Sequence, residues 1–599
     1  SLPSLQMFLF LLTNPPDRSS VDGHLRRPGS MTKHSFNSTQ PGPPHGTMPR
    51  WLEWGMLALL QLSFALLLSW RTVDADLWGH IQYGQDWITS GSLPQTATHT
   101  FTTPDHPWIN HENLFELTVA CGQRWFGGYG LMIGKSLLGL ALLNFIAWRL
   151  QLRGLSRLAA TTSLLPAAAG LAEYWQIRPQ LFSFVLFTAL LWLFEFSARS
   201  PNTLRRLWLA VPLLIVWTNS HGGVLAGICV FIAFVTLHLL QHCLLNRTVS
   251  WRPLITGAAL CLAAAGTLFV NPYGAALPRW YAVSLSAPRP EVSEWAGLLD
   301  GGPAGFIFAA LAILTVAGLL LTDCRRAPVE TALLLIIAAQ PLGHIRHLPF
   351  FAIAFGFWMP DHLQAAWQRF RPRSNTTPAR IHGIGATLLK FELAALITGM
   401  LAAVLIAQGR FGVPRDEYPV DAVEFMHRNH LHGRLVVTFD WAQYALAALA
   451  PHTTVSFDGR YDTCYPMQVV DWHFDLLFGP DYRRRYRVPE SGPISQQQAL
   501  DFGNPNLVLL NRQADQPAVR FLQQHADWQL VYQDGLACLF RRRNAGSESN
   551  AHDLQPSTTD DMPTGIAAWP AFPDRGGRLA FLHQPSANQI SRRSGGDTW

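Results

Sequence analysis

The sequence is short of charge. Asp, Glu, Lys and Arg make up only 14% of its 599 residues, where ordinary soluble domains carry about 25%. Hydrophobic residues make up 49%, spread over many apolar runs. That combination excludes a soluble globular enzyme and implies a polytopic membrane protein. Paired cysteine motifs are also missing. Cys121, Cys229, Cys243, Cys261, Cys324, Cys464 and Cys538 are scattered, with no CxxC and no Cys/His spacing that would suit a metal. Neither a disulfide framework nor a structural zinc site can be read from them. Charges at mid-span positions are sparse as well, which weighs against a transporter. No nucleic-acid partner is expected.

The apolar runs set the architecture. Trp51 to Trp70 is long enough to cross a bilayer, which takes about 20 residues. Further spans are expected near 131–150, 156–173, 180–198, 205–219, 223–245, 253–271, 304–322, 328–343, 347–365 and 385–407, about eleven in all. The stretch 114–127 is expected to be an interfacial amphipathic helix. Residues 1–50 are rich in Pro, Gly, Ser and Thr and are expected to be disordered. Ser1 stands where a Met would, so a native start near Met31 or Met48 without a cleaved signal peptide is the expectation.

Basic residues alternate between loops. Arg149, Arg153 and Arg157, then Arg199, Arg205 and Arg206, then Arg247 and Arg252, then Arg325 and Arg326, then Arg369, Arg371 and Arg373 share one side with the N-terminal tail. The positive-inside rule makes that side cytoplasmic. The loops 71–130 and 272–303, and everything after Ala407, then face outward from a bacterial inner or plasma membrane.

Composition changes after residue 410. Helical and strand patterns alternate through 410–543: helices at 420–429, 441–449 and 518–525, strands at 435–439, 453–457 and 507–510, and a closing hairpin at 530–541 around Asp534-Gly535. The fold class expected is mostly α: a transmembrane helical bundle over 51–407 carrying a C-terminal extracytoplasmic α/β domain over 410–543. Residues 544–599 are rich in Ser, Asp, Pro and Gln and read as a disordered tail.

Chemistry-bearing residues concentrate where spans emerge outward. Asp74-Ala75-Asp76-Leu77-Trp78-Gly79-His80 follows the first span, and Pro107-Trp108-Ile109-Asn110-His111-Glu112 closes the same loop. Carboxylates beside His can serve as a general base or bind a divalent cation through oxygen. The same spacing also suits a helix cap. Later outward ends carry Glu173 to Gln180, including Arg178, then Asn219-Ser220-His221-Gly222, Asn271-Pro272-Tyr273-Gly274 and His344-Ile345-Arg346-His347. Each alone suits a turn or an interfacial anchor. Together they set Arg178 and Arg346 to grip an anionic headgroup by bidentate hydrogen bonds. In the exported domain, Phe457-Asp458-Gly459-Arg460 offers either a ligand-touching turn or a structural Asp–Arg pair.

In these segments, taken in order, the sequence resembles the GT-C superfamily of polytopic glycosyltransferases over roughly residues 51–543. That superfamily includes protein O-mannosyltransferases, aminoarabinose transferases and oligosaccharyltransferase catalytic subunits, and the nearer resemblance is to a bacterial membrane-protein group within it. The resemblance implies sugar transfer on the outer face from a polyprenyl-phosphate-linked donor to a glycan, lipid or protein acceptor. It also implies an acidic residue of the first outward loop acting as base or metal ligand. By position the catalytic residues are Asp74 and Asp76, which are also the metal ligands if a metal takes part; many members need none. Substrate-binding candidates are His80, His111, Glu112, Arg178, Gln180, Asn219, His221, Asn271, Tyr273, Arg346 and His347. The rival reading is a non-catalytic scaffold of the same fold, binding lipid-linked glycan or displaying the α/β domain. The two differ in one geometric respect: an enzyme needs Asp74, Asp76, His111 and Arg346 to line one outward cavity.

Overall fold

The computed structural model describes residues 49–69, 73–200, 202–246, 250–284, 297–298, 302–370, 412–480, 486–543 and 555–573. The expected span at 385–407, nearly all of the N-terminal tail and Glu294-Trp295 lie outside these residues.

Helices account for the apolar runs. They include α1 (Arg50–Leu67), α2 (Leu77–Ser90), α3 (Asn113–Leu152), α4 (Gln180–Ala198), α5 (Val224–Asn246), α6 (Trp251–Gly266), α7 (Pro303–Leu321), α8 (Pro328–Gly343) and α9 (Leu348–Phe370). Among the described residues five helices are long and apolar enough to cross a membrane: Asn113–Leu152, Gln180–Ala198, Val224–Leu245, Trp251–Phe269 and Pro303–Leu321. The expected interfacial helix and the following span form one element, α3. They are separated by Gly127, whose φ of 65° and ψ of −175° break the helical path. The run at 156–173 is two short helices, Arg157–Thr162 and Leu165–Ala172, with Pro166 opening the second. Phe184, Phe187, Phe351 and Phe355 anchor the core of the bundle.

The C-terminal region builds a six-stranded sheet. Its strands are β2 (Gly433–Val437), β3 (Thr453–Val455), β4 (Leu507–Asn511), β5 (Trp528–Gln533), β6 (Ala537–Arg542) and β7 (Ser557–Thr558), in the order β3-β2-β4-β6-β5-β7. β2 runs parallel to β3 and β4, and β6 is antiparallel to β4 and β5. Val436, Val437, Val508 and Leu509 are fully buried, as strands covered on both faces require.

Two features depart from the sequence reading. First, the loop between α1 and α3 behaves as part of the α/β domain. Its Trp78, Tyr83 and Trp108 sit in that domain's core, and its backbone extends the sheet edge. Val455 N–H donates to His99 O at 3.0 Å, and Phe101 N–H donates to Val455 O at 3.3 Å. Second, residues 555–573 of the expected disordered tail are ordered. There β8 (Ile566–Ala568) pairs with β1 (Gly412–Pro414), and Trp569 stacks on Trp78 with ring centroids 5.0 Å apart. A few aromatic residues bury enough surface to offset the ordering entropy of a polar segment. The parts of that tail at 544–554 and 574–599 lie outside the described residues.

Candidate active site

The loop after α1 brings Asp74 and Asp76 to the start of α2. Asp76 N–H donates to Asp74 Oδ1 at 3.0 Å, the local turn that Asp-x-Asp favours. Asp76 is the residue preceding α2, but its side chain makes no cap hydrogen bond. Both carboxylates instead meet Arg178. Its Nε lies 2.5 Å from Asp74 Oδ2 and its Nη2 lies 3.1 Å from Asp76 Oδ2. The two aspartates differ in access: the side chain of Asp74 is 6% exposed and that of Asp76 is 34% exposed.

Asp76 opens onto a cavity of about 470 Å³ between the bundle and the α/β domain. His80, His111, Glu112, Arg178, Gln180, His221 and Arg346 line the same cavity, so groups from five separate sequence segments converge. A smaller chamber of about 220 Å³ shares Gln180, His221 and Arg346 with it, and adds His347 and the rings of Phe184 and Phe350. The remaining candidates lie elsewhere. Asp74 is buried behind Asp76 and is not on the cavity wall. Asn219 ties two segments together, donating to Ile215 O and Val270 O at 2.9 Å each. Asn271 closes its own turn, donating to Leu268 O and Gly274 O and accepting from Tyr273 N–H. Tyr273 reaches Pro94 O at 3.4 Å. These three hold loops in place rather than face the cavity, as polar turn residues commonly do.

Electrostatics separate the histidines. Burial disfavours a charged His80, yet Glu116 Oε1 at 3.4 Å and the charges of Glu112 and Asp76 raise its pKa to about 9. Asn110 Nδ2 donates to the other Glu116 oxygen at 2.6 Å and fixes that carboxylate. His221 goes the other way. Burial, then Arg346, His111, His80 and Arg178, push its pKa well below the ordinary value, so it is neutral. Its Nδ1 accepts from Gly223 N–H at 3.1 Å and faces Ser183 Oγ at 2.7 Å, an arrangement that assigns its proton to Nε2.

The α/β domain supplies a wall that motif reading did not find. Asp440, Gln443, Tyr461 and Asp462 line the cavity from that side, and Trp280 and Tyr281 complete it from the bundle. Burial raises the carboxyl pKa of Asp440, with Arg178 opposing and Asp74 adding to the shift. The backbone of Gly459 passes beside Asp76. Arg460 forms the structural pair and also stands on the cavity lining. It pairs with Asp458 through Nε–Oδ1 at 2.9 Å and Nη2–Oδ2 at 2.7 Å, lies 4.7 Å from the ring centroids of both Tyr83 and Trp108, and still reaches the cavity wall. The visible signals for this wall were Phe457-Asp458-Gly459-Arg460 and the Trp-Tyr pair following Asn271.

A metal fits this donor set poorly. Arg178 already sits on one oxygen, Oδ2, of each of Asp74 and Asp76, so a cation there would meet a guanidinium beside it. Among the described residues no group of three or more His, Cys, Asp or Glu side chains has metal-holding geometry.

No protein-family model matches the chain, and no curated protein matches it. Solved structures of similar shape exist at low identity. An Archaeoglobus fulgidus oligosaccharyltransferase tethered to an acceptor peptide is 12% identical, with a TM-score of 0.48 over 80% of this chain and 73% of that one. ArnT from Cupriavidus metallidurans, bound to undecaprenyl phosphate, is 13% identical, with a TM-score of 0.48 over 82% of this chain and 98% of that one. The archaeal oligosaccharyltransferase AglB from Archaeoglobus fulgidus, in complex with an inhibitory peptide and a dolichol-phosphate, is 12% identical, with a TM-score of 0.47 over 77% of this chain and 69% of that one.

Proposed function

We propose that this chain is a membrane-embedded, inverting GT-C-type glycosyltransferase. It moves a sugar from a polyprenyl-phosphate-linked donor to an acceptor hydroxyl at the extracytoplasmic face. The observation that carries the reading is the convergence of Asp76, His111, Arg178 and Arg346 on one cavity. A scaffold has no need to gather them. The donor class follows from the family that the sequence resembles.

Asp76 is the base. Of the two aspartates it is the one on the cavity wall, and a base must come within about 3 Å of the acceptor oxygen. Arg178 aims it, with Asp74 holding the far side of the guanidinium. As the acceptor oxygen bonds to the anomeric carbon, its proton passes to Asp76. The bond from that carbon to the donor phosphate breaks with its electron pair, and the phosphate leaves as an anion. Arg346 stabilises that anion, and cationic His80 adds positive potential. Trp280 and Tyr281 offer flat faces for a sugar ring. The apolar chamber beside Arg346, walled by Phe184 and Phe350, suits the start of an isoprenyl chain.

The test uses purified protein in nanodiscs supplied with total membrane lipid, reading release of free polyprenyl phosphate. Loss of release in an Asp74→Asn/Asp76→Asn double variant is expected. Undiminished release would refute the assigned roles.

A further inference from the structure

The bundle has a second cavity, of about 270 Å³, at its other end. α4 connects the two: Gln180 lines the first and Glu195 and Ala198 line the second. At 1.5 Å per residue these ends stand about 27 Å apart, close to the thickness of a hydrocarbon core. α5 repeats the pattern, with Leu225 at one end and Phe234, His238 and Gln241 at the other. The two cavities therefore open at opposite membrane surfaces.

The floor of the second cavity is apolar, with Phe194 and Phe234 stacked at 4.1 Å between centroids. Its rim is charged. Glu195, on one wall, is fully engaged: Arg149 grips it by two hydrogen bonds, and Arg153 Nη1 reaches it at 3.0 Å. Arg153 also meets Asp361 at 2.7 Å. Three other charged groups on the lining are not engaged in this way. Arg325, Arg326 and Glu330 make no ion pair within 4.0 Å among the described residues. Beside them Trp358 is 4% exposed, and its Nε1 is buried without a hydrogen-bond partner. A buried donor left unpaired is destabilising, so this indole calls for an acceptor that the described residues do not provide.

Two guanidiniums, an indole N–H and one carboxylate above an apolar floor define a ligand. We propose that this cavity seats a phospholipid headgroup that joins a phosphodiester to a primary ammonium. Arg325 and Arg326 take the phosphate oxygens, by the fork geometry that suits them. Trp358 Nε1–H donates to an oxygen of the same group. Glu330 receives the ammonium. The acyl chains leave along the apolar surface of the bundle. This seat belongs to the membrane face away from the sugar-transfer cavity and does not depend on the reading of that cavity.

The experiment is thermal unfolding of the full chain in a nonionic detergent. The titrants are dihexanoyl phosphatidylethanolamine, phosphatidylglycerol, phosphatidylcholine and inorganic phosphate. The expected result is a saturable rise in Tm that is largest with phosphatidylethanolamine. Arg325→Gln/Arg326→Gln raises the half-saturating concentration about tenfold or more, since each lost charged hydrogen bond is worth a factor of that order. Trp358→Phe, which keeps a ring in the core, weakens it in the same direction. Glu330→Gln erases the preference for phosphatidylethanolamine over phosphatidylglycerol. An equal shift with inorganic phosphate would make this a free-anion site and overturn the lipid assignment. A stronger response to phosphatidylglycerol in the unsubstituted chain would overturn the ammonium half, and unchanged half-saturation in the Trp358→Phe and arginine variants would overturn the site itself.

Discussion

Gly459 lies so close to Asp76 that a β-carbon on it would stand 2.5 Å from Asp76 Oδ1. The α/β domain thus touches the candidate base directly, through the one residue type that leaves room. No real β-carbon tolerates that distance, so a side chain there must displace the carboxylate or the turn. Gly459→Ala is therefore expected to cut transfer by about tenfold to a hundredfold, the scale that misplacement of a reacting group by about 1 Å produces. A melt of the purified variant should stay within a few degrees of the parent. Unchanged turnover would mean that Asp76 does not need its present position.

Arg460 locks the outward loop to the α/β domain. Its side chain is 5% exposed and that of Asp458 is 0% exposed, and its Nη2 also donates to Thr98 O at 2.6 Å. Lysine cannot make the two-pronged contact or lay a planar cation against the rings of Tyr83 and Trp108. Arg460→Lys is expected to destabilise the domain by about 3 kcal/mol, seen as a lower first transition in a thermal or urea melt. A lost activity with an unshifted melt would instead make Arg460 a substrate ligand.

His80 sets a pH dependence. Its pKa in the fold is raised to about 9 from the ordinary 6.5. A raised pKa means that the folded state holds the proton more tightly. The stabilisation is then fully present below pH 6.5 and is lost as pH rises through 9. The unfolding midpoint should fall between pH 7 and pH 9.5, and His80→Gln should flatten that slope. A slope that survives in His80→Gln would assign it to another group.

Much of this was legible in the sequence because it rests on local signals. Apolar runs, Gly and Pro breaks and the 435–541 strand pattern give elements whose positions the structure reproduces within a few residues. Span packing was not legible, since lipid-facing and buried apolar residues look alike along the chain. At the candidate site, Asp76, His80, His111, Arg178, His221 and Arg346 were each readable as polar groups at outward loop ends, where a bare turn has no use for them. Their partnerships were not. Nothing in the spacing says that Arg178 binds both aspartates instead of standing clear for a phosphate. Asn219 and Asn271 carried the same outward signal as their neighbours, yet their side chains are spent on backbone carbonyls. Gln443 and Asp440 sit in unremarkable helical sequence and reach the cavity only through the docking of the α/β domain. Trp569 was read as part of a polar tail because one aromatic side chain is too little to reveal order until its partner, Trp78, is known.

The central claim is that Asp76, and not Asp74, takes the acceptor proton. Lipid-linked sugars can be profiled in cells lacking this protein and in the same cells complemented with the wild type, Asp74→Asn or Asp76→Asn. Without the protein, a polyprenyl-phosphate-linked sugar should accumulate. Wild type should clear it and Asp74→Asn should clear it in part, since its loss perturbs the half-buried Arg178 and leaves the base in place. Asp76→Asn should leave it uncleared, as the loss of about 10²- to 10⁴-fold that follows removal of a general base requires. Clearance by Asp76→Asn at the wild-type level would contradict the account.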